Sequence, residues 1–148
     1  MATEELFGAY NFLLEISGIT GDSKTIVGGF KGLSGMDSET EVIEFKQGND
    51  SVVRKKPGRT TYANITLERG YTATDDLWVW RNNIEKGIID RRSGSVIILD
   101  QDMETEVARY NFYEGWPCKW YVPDLDSDSS GMAIEKIEIA VEKVERAK

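Results

Sequence analysis

The sequence predicts a mainly β protein, an antiparallel β-barrel or sandwich with one flanking α-helix. Several segments alternate apolar and polar residues with a period of two, a pattern typical of strands that bury one face. One segment, which begins near Thr74, is predicted to be a helix from the spacing of its apolar residues. Many strands combined with one helix favour an antiparallel sheet with the helix packed against one side. We expect the 148 residues to form a single domain, residues 1–148.

Three strands are predicted in the first third of the chain. Tyr10–Ile16 alternates strongly apolar residues with more polar ones. Ile26–Gly32 is a shorter strand containing Gly28 and Gly29, and glycines within a strand often mark a bulge or a close approach of another backbone. Glu39–Gln47 follows, with its apolar and polar residues on opposite faces.

A basic segment comes next and is interpreted as a loop. Its cationic residues crowd around Pro57-Gly58, a pair that fixes the backbone at one residue and frees it at the next. This pattern predicts a bend, so Gln47–Thr61 is interpreted as a long cationic loop that is either functional or mobile. The basic residues of this loop are Arg54, Lys55, Lys56 and Arg59. A further strand, Asn64–Gly70, follows the loop.

The helix is predicted from its start signal, its apolar face and its stop signal. Thr74 is a suitable N-cap, and carboxylates follow it in the first turn. Leu77, Trp80 and Ile84 fall on one helical face. Gly87 lies where a left-handed residue is expected to end the helix.

The second half of the chain is again rich in strand patterns. Ser93–Leu99 is nearly continuously apolar at its end, as expected of a strand covered on both faces. A turn at residues 100–102 and an alternating segment, Glu106–Tyr113, complete a predicted hairpin. Met132–Lys143 fits both a strand and a helix by spacing, and its β-branched residues favour a strand through about Val141. The charged tail after it is expected to fray or coil.

The composition restricts the class of protein. The net charge of −8 argues against a general nucleic-acid binder, because phosphate attraction dominates such binding. The basic segment also lacks interleaved aromatic residues beyond Tyr62, so a protein contact is favoured there. The single cysteine, Cys118, excludes an intrachain disulfide, and the sequence shows no membrane span and no secretion signal. We therefore expect the chain to fold in the cytoplasm.

The absence of histidine removes many kinds of catalytic site. Ser-His-Asp and Cys-His catalysis and the common mixed zinc sites all depend on this residue. Paired carboxylates remain possible in principle for glycoside hydrolysis, but no pattern marks such a pair. No glycine motif for phosphate binding is present. We predict that the protein is not an enzyme and that it holds no cofactor.

An acidic loop late in the chain has the carboxylate spacing of a calcium-binding EF-hand. Asp124, Asp126 and Asp128 are followed by Glu135 at the twelfth place. Ser129 stands where the sharp turn of that loop needs glycine, and no entering helix is predicted. The favoured interpretation is therefore an acidic surface turn before a strand, without a metal.

A group of aromatic residues leaves a second function open. These residues are Tyr110, Tyr113, Trp116, Trp120 and Tyr121. Such a group is compatible with a platform for sugars, which would make the protein a monomeric carbohydrate-binding β module. Aromatic side chains in β domains more often supply buried core and interface area, and this interpretation is favoured.

A series of sequence blocks runs in order along nearly the whole chain. GGFKGLSGMDSETEVIEFKQG is followed by RKKPGRTTYANITLERGYT, the helix start LWVW and RRSGSVIILD. RYNFYEGWPCKWYVPDLD and MAIEKIEIAVEKVER complete the series. Together these blocks resemble the tail tube proteins of contractile phage tails and related contractile injection systems.

The resemblance implies a structural role. It implies a β-barrel with a flanking helix, six copies of which form a ring, and rings that stack into a hollow tube inside a contractile sheath. The implied partners are further copies of the chain, the sheath protein, baseplate and tail-terminator proteins, and a DNA or protein cargo. After synthesis in the cytoplasm, such a chain becomes part of a phage tail or an injection particle.

Two sets of residues are candidates for roles in such a tube. Contacts between subunits or rings are assigned to the basic segment and to the acidic loop of another copy, because their charges are complementary. The contact residues are Arg54, Lys55, Lys56, Pro57 and Arg59, with Asp124, Asp126 and Asp128. A polar lumen lining is assigned to two strands, through Thr40, Glu44, Lys46, Arg109 and Asn111.

Overall fold

The computed structural model describes residues 12–16, 30–70, 76–102, 104–123, 125–128 and 133–148. Within these residues the chain forms nine strands and one helix, and all strand pairs are antiparallel. In chain order the elements are β1 (Phe12–Ile16), β2 (Phe30–Ser34), β3 (Ser38–Phe45), β4 (Arg54–Tyr62), β5 (Ile65–Gly70), α1 (Asp76–Glu85), β6 (Arg92–Leu99), β7 (Glu106–Tyr121), β8 (Ile134–Ala140) and β9 (Lys143–Arg146).

The larger of two sheets has the strand order β1-β6-β7-β8-β5-β2, with β9 also paired to β7. Strand β7 is 16 residues long and joins the two halves of this sheet. Its first part pairs with β6 and β9 and its last part pairs with β8. Glu114, at the change of partner, has a positive φ of 55°. The described strands form an open path with β1 and β2 at its ends, so the mainly β fold with one helix is confirmed without a closed barrel.

One hydrophobic core lies between the two halves of the larger sheet. In the strands that line this core, alternation sends every second side chain towards it. The buried residues are Leu14, Ile16, Val96 and Phe112 from one half, Ile65, Leu67, Ile137 and Ile139 from the other, and Leu77 and Trp80 from α1. Each such side chain contributes roughly 1.5–3 kcal/mol of transfer free energy relative to full exposure.

The helix forms where its pattern predicts it. Leu77 and Trp80 are fully buried against the sheet, while Ile84 on the same face is half-buried. Gly87 has a φ of +82° and follows the last helical turn, as a left-handed C-cap requires. The predicted N-cap, Thr74, lies outside the described residues. No helix within the described ranges is long and apolar enough to cross a membrane.

Several strand predictions are confirmed. The described part of the first strand, β1, buries Leu14 and Ile16. In β6 the neighbouring residues Val96 and Ile97 are both buried, so both faces of this strand are covered as its continuous apolar run predicts. The ambiguous segment after residue 132 is strand β8, and the helical interpretation of it is wrong.

The interpretation of Gln47–Thr61 as a loop is wrong. The loop is shorter, and β4 pairs with β3 in a second, two-stranded sheet. Pro57-Gly58 does not turn the chain but forms a bulge, at which Gly58 and Arg59 together lie opposite Glu41. Proline is tolerated at a bulge or an edge because no ladder hydrogen bond from its nitrogen is needed there.

Three further boundaries differ from the predictions. The tail does not fray, because β9 pairs with β7 and the Ala147 amide donates to the Arg109 carbonyl at 2.8 Å. Strand β7 does not end at Tyr113 but continues through Pro117, with a bulge beside Cys118. The strand predicted at Ile26–Gly32 is described only from Phe30 and continues to Ser34, with a register shift between Phe30 and Gly32; Gly28 and Gly29 lie outside the described residues.

Candidate assembly interface

The β3–β4 sheet projects from the body of the protein with both faces open. All eight residues of β3 are exposed, and only Gly58 and Tyr62 of β4 are half-buried. Val42 is 59% exposed, and the apolar side chains of Ile43 and Phe45 are also exposed. A two-stranded sheet that covers no core is at best marginally stable alone. This sheet therefore presents both apolar and polar side chains at the surface.

The tip of this sheet is ordered by its own hydrogen bonds. It consists of the loop between β3 and β4, residues 46–53, together with the adjoining strand ends. The Asp50 amide donates to the Gln47 carbonyl at 2.9 Å, and the Asp50 carboxylate accepts from the Val52 amide at 3.1 Å. Arg54 Nε donates to the same carboxylate at 2.8 Å. The tip is thus a closed turn with exposed Val52 and Val53 on its surface.

The basic contact residues predicted from the sequence lie together on β4 rather than in a loop. Arg54 is partly neutralised by Asp50. Lys55 lies opposite Glu44 in the strand register but forms no ion pair with a described residue, and neither does Arg59. The Lys56 ammonium lies 5.7 Å from the centre of the Phe45 ring. The tip is consequently cationic, with an apolar component.

The base of the sheet, where it joins the body, has a tight backbone and an open groove. Gly35 and Met36 have φ of 98° and 65°, and the Ala63 amide donates to the Asp37 carbonyl at 2.9 Å. A Cβ on Gly35 would collide with the carbonyl oxygen of Asn64. The groove has a volume of about 440 Å³ and is lined by Asp37, Ser38, Glu39, Thr61, Tyr62 and Ala63.

The acidic loop is exposed, and part of it is described. Asp126 accepts a hydrogen bond from the Asp128 amide at 3.0 Å, while Asp124 lies outside the described residues. Leu125 in this loop is 81% exposed. Glu135, the last member of the calcium-like spacing, lies in β8 and is buried. The described residues contain no group of three or more acidic or cysteine residues suited to a metal ion.

The predicted lumen residues are divided between the two sheets. Thr40 and Glu44 lie on β3, and Lys46 follows that strand directly. The Thr40 hydroxyl shares a hydrogen bond of 2.9 Å with the Thr60 hydroxyl across the sheet. These three side chains are exposed and lie on one face of the projecting sheet.

Arg109 and Asn111, in contrast, lie on β7 in the larger sheet and are engaged by neighbours. Arg109 Nε donates to Glu106 Oε1 at 2.8 Å, and its guanidinium lies 3.6 Å from Glu15 Oε2. The hydrogen bond from Arg109 lowers the pKa of the Glu106 carboxyl. Asn111 Oδ1 accepts a hydrogen bond from the Ser95 hydroxyl at 2.7 Å. The predicted lumen residues of β3 thus lie in the two-stranded sheet, and those of β7 lie in the larger sheet.

A polar cluster on the outside of β5, β8 and β7 was missed by the sequence analysis. Asn64 Nδ2 and the Tyr121 hydroxyl donate to the Glu138 carboxylate at 2.8 and 3.1 Å, and these bonds lower its pKa. Burial raises the pKa of the neighbouring Cys118 thiol, and the Glu138 charge adds to the effect. Lys119 and Lys136 lie over the Tyr121 ring. The alternation of β8 was the available signal, because it places Lys136 and Glu138 on the face away from the core.

The aromatic residues do not form one open platform. Trp120 packs edge-on against Trp78, with ring centres 5.2 Å apart. The ammonium groups of Lys119 and Lys136 lie over the Tyr121 ring, and the Arg146 guanidinium lies over the Tyr110 ring at 5.8 Å. Trp120 thus serves packing, as the favoured interpretation predicts, and Tyr110 and Tyr121 make cation–π contacts that the sequence analysis did not predict.

Solved structures with the same fold include chains of the anti-feeding prophage and of an extracellular contractile injection system. A chain of the anti-feeding prophage cap, which terminates the tube, has a TM-score of 0.87 at 21% identity, covering 100% of this chain and 95% of that chain. A chain of the PVC extracellular contractile injection system, from its extended sheath–tube complex, has a TM-score of 0.84 at 21% identity, covering 97% and 92%. A chain of the six-fold symmetrised anti-feeding prophage baseplate has a TM-score of 0.77 at 16% identity, covering 99% and 97%.

At sequence identities this low, similarity to solved structures establishes the fold and does not by itself establish a function. The fold is thus one that also occurs in chains of a tube-terminating cap and of a sheath–tube complex. The model of the T4-like virus tail tube protein gp19 family matches residues 8–145, and the chain belongs to this family. The family inferred from the sequence blocks is therefore confirmed, and the carbohydrate-binding alternative finds no support. No curated protein matches the sequence.

Proposed function

We propose that this chain forms the wall of the inner tube of a contractile tail or injection particle, with six copies in each ring and rings stacked inside a sheath. Membership of the tail tube family supports the tube, and the six-fold baseplate and the sheath–tube complex that share its fold support the ring and the sheath. The wall is structural and carries out no catalysis. Sheath, baseplate and terminator proteins are its partners, and DNA or an effector protein is its cargo.

The observation that carries the proposal is the projecting β3–β4 sheet. Its exposed apolar side chains and its marginal stability alone both require a partner surface. A second copy of the chain supplies that surface, because the described chain carries unpaired cations on the tip and exposed carboxylates elsewhere. Complementary charge favours such an encounter and sets its orientation.

The residue assignments made from the sequence remain part of the proposal. The sheet contacts another copy through Lys55, Lys56, Pro57 and Arg59, with Arg54 holding the tip through Asp50. The loop of Asp124, Asp126 and Asp128 is one of the candidate acidic acceptors for such a contact. Thr40, Glu44 and Lys46, with Arg109 and Asn111, contribute polar groups to the lumen, where a polar wall lets cargo slide.

The test is assembly of the purified chain and of a charge-reversed variant. We expect rings and hollow tubes in negative-stain electron micrographs of the chain, and their loss in the variant with Lys55, Lys56 and Arg59 replaced by glutamate. Arg54 is retained, because it orders the tip. Circular dichroism and thermal melting verify that the variant folds. A chain that sediments as a compact monomer at all concentrations contradicts the tube, and normal tubes from the variant contradict the role of the sheet.

A further inference from the structure

The charges of the β3–β4 sheet are segregated along its length. The tip end, residues 44–56, holds four cations, including Lys55 and Lys56, and only two carboxylates, whereas Asp37 and Glu39 lie at the base. Neither carboxylate at the base forms an ion pair with a described residue, and both side chains are exposed. The sheet thus has a cationic end and an anionic end.

These opposite ends cannot neutralise each other within one copy. Lys56 lies opposite Ile43, which is four residue steps from Glu39, or roughly 13 Å at about 3.3 Å per residue. The Debye length at physiological ionic strength is about 8 Å, so the attraction across that span is screened. The charges become useful only when the tip of one copy approaches the base of another.

The shapes of the two ends are also complementary. The tip is a closed turn with protruding side chains, including the exposed Val52 and Val53. The base is concave, with a groove of about 440 Å³ between its carboxylates and the half-buried Tyr62. A lysine side chain and its neighbours fit a groove of that size, and the Tyr62 ring offers an apolar wall.

We propose that the cationic tip of the β3–β4 sheet in one copy docks into the groove at the base of the β3–β4 sheet in a second copy. This inference rests on the proposed function and names the partner surface for the same sheet. The contact is heterologous, since tip and base are different surfaces, so each copy keeps one free tip and one free base for the next copy. Such head-to-tail contacts close into rings or continue as open arrays.

The acidic loop at residues 125–128 is the competing acceptor. Asp126 already accepts the Asp128 amide and Leu125 is exposed, so the described part of the loop offers an engaged carboxylate and an apolar side chain. A protruding tip makes more contacts in a groove than on an exposed turn. The groove is therefore the favoured acceptor, and charge reversal of the loop tests the competing one.

The experiment compares three double charge reversals of equal size. These are Lys55→Glu with Lys56→Glu at the tip, Asp37→Lys with Glu39→Lys at the base, and Asp126→Lys with Asp128→Lys in the loop. We expect the tip and base variants each to lose tube mass at least roughly tenfold, measured by pelleting and electron microscopy, and the loop variant to form normal tubes. The chain carrying both the tip and base reversals regains tubes, because the attraction is restored with opposite signs.

A cysteine pair gives an independent readout of the same contact. In a Cys118→Ala background, one chain carries Lys56→Cys and another carries Glu39→Cys, and oxidation of their mixture is expected to give a mixed dimer that neither variant gives alone. Normal tubes from the base variant, or no recovery in the combined variant, overturn the tip-to-groove contact while the tube remains. Normal tubes from the tip variant overturn the role of the sheet itself, so the two failures are distinguishable.

Discussion

Asp90 connects the end of α1 to the start of β6 through several side chains. Its carboxylate accepts Arg92 Nε and Nη2, each at 3.0 Å, and Asn83 Nδ2 at 3.3 Å. Its backbone carbonyl accepts the Trp80 indole at 2.8 Å, and the Arg92 guanidinium stacks over the Trp80 ring. The bond from Arg92 is the main reason that the pKa of this carboxyl lies below its ordinary value. One residue thereby fixes the exit of the helix and the orientation of its most deeply buried ring.

The first prediction concerns this carboxylate. Asp90→Asn removes the charge that Arg92 faces, and we expect a loss of about 1–2 kcal/mol in the free energy of unfolding at neutral pH, because the side chains are mostly but not fully shielded from water. Since the folded pKa is lowered, the stabilisation is present above the unfolded pKa of about 4 and disappears as the pH falls through the folded value. Urea titrations of the parent and of Asp90→Asn from pH 7 to pH 3 measure how far the difference between their free energies of unfolding shrinks.

The control for that prediction is Asp128→Asn, which removes an exposed carboxylate in the acidic loop. Its free energy of unfolding is expected to stay within about 0.5 kcal/mol of the parent at every pH. A gap between Asp90→Asn and the parent that stays constant down to pH 3 would show that packing, not charge, accounts for the loss.

At the scale of the elements, the close approach of β1, β6 and β7 depends on Gly94. A Cβ at this position would collide with the Phe112 ring and lie 2.5 Å from the Glu15 carbonyl oxygen. Phe112 is fully buried, so neither neighbour has room to move away. Gly94→Ala is expected to lower the free energy of unfolding by about 3 kcal/mol, by overpacking.

Gly32→Ala in β2 is the matched control for Gly94→Ala, because an added Cβ there would meet only Glu68 Oε2, at 3.8 Å. We expect a change below about 1 kcal/mol for this variant in the same denaturation experiment. Equal losses from both substitutions would contradict the steric explanation and point to strand propensity.

The elements differ in how well local sequence patterns describe them. Strands β1, β5, β6 and β8 and helix α1 were predictable because each buries a regular face, so the pattern and the packing agree. Strand β4 buries no face, and therefore its only signals were Pro57-Gly58 and its charges, which indicate a loop. Strand β9 is short and charged, and it is held by pairing with β7, a contact that no local pattern reveals. The basic residues of the interface were identified, but the groove at the base exists only in three dimensions.

The β3–β4 sheet is expected to be the least protected sheet of the free chain. Its backbone hydrogen bonds are exposed on both sides, whereas those of β7 surround the core. Hydrogen exchange on the unassembled protein should therefore show β3 and β4 amides exchanging at least roughly 100-fold faster than those at the centre of β7. After assembly the same amides should slow, because a second copy covers them. Protection equal to that of β7 before assembly, or unchanged exchange after it, would contradict the assigned role of the sheet.

For the whole molecule, the arrangement separates stability from assembly. The core, the helix and the larger sheet hold the chain together through one buried cluster. The projecting sheet adds no described residue to that cluster, so its side chains are free to serve contact. Substitutions on the sheet should then alter assembly while leaving the melting temperature nearly unchanged, which is why charge reversal is a suitable test there.

The salt dependence of assembly decides which force brings copies together at the tip. Exposed Val42, Val52 and Val53 favour hydrophobic association, which added salt strengthens or leaves unchanged, whereas the lysine charges favour electrostatic attraction, which salt screens. Because Lys46, Lys55 and Lys56 at the tip have no ion pair with a described residue, we expect the charges to dominate. Light scattering should show tube growth slowing at least roughly tenfold between 0.1 M and 1 M sodium chloride.

The variant with Lys55 and Lys56 replaced by glutamine is the control. Its tubes should grow slowly at both salt concentrations, with a smaller salt effect. Faster growth of the parent chain at high salt would show instead that its apolar side chains drive the contact.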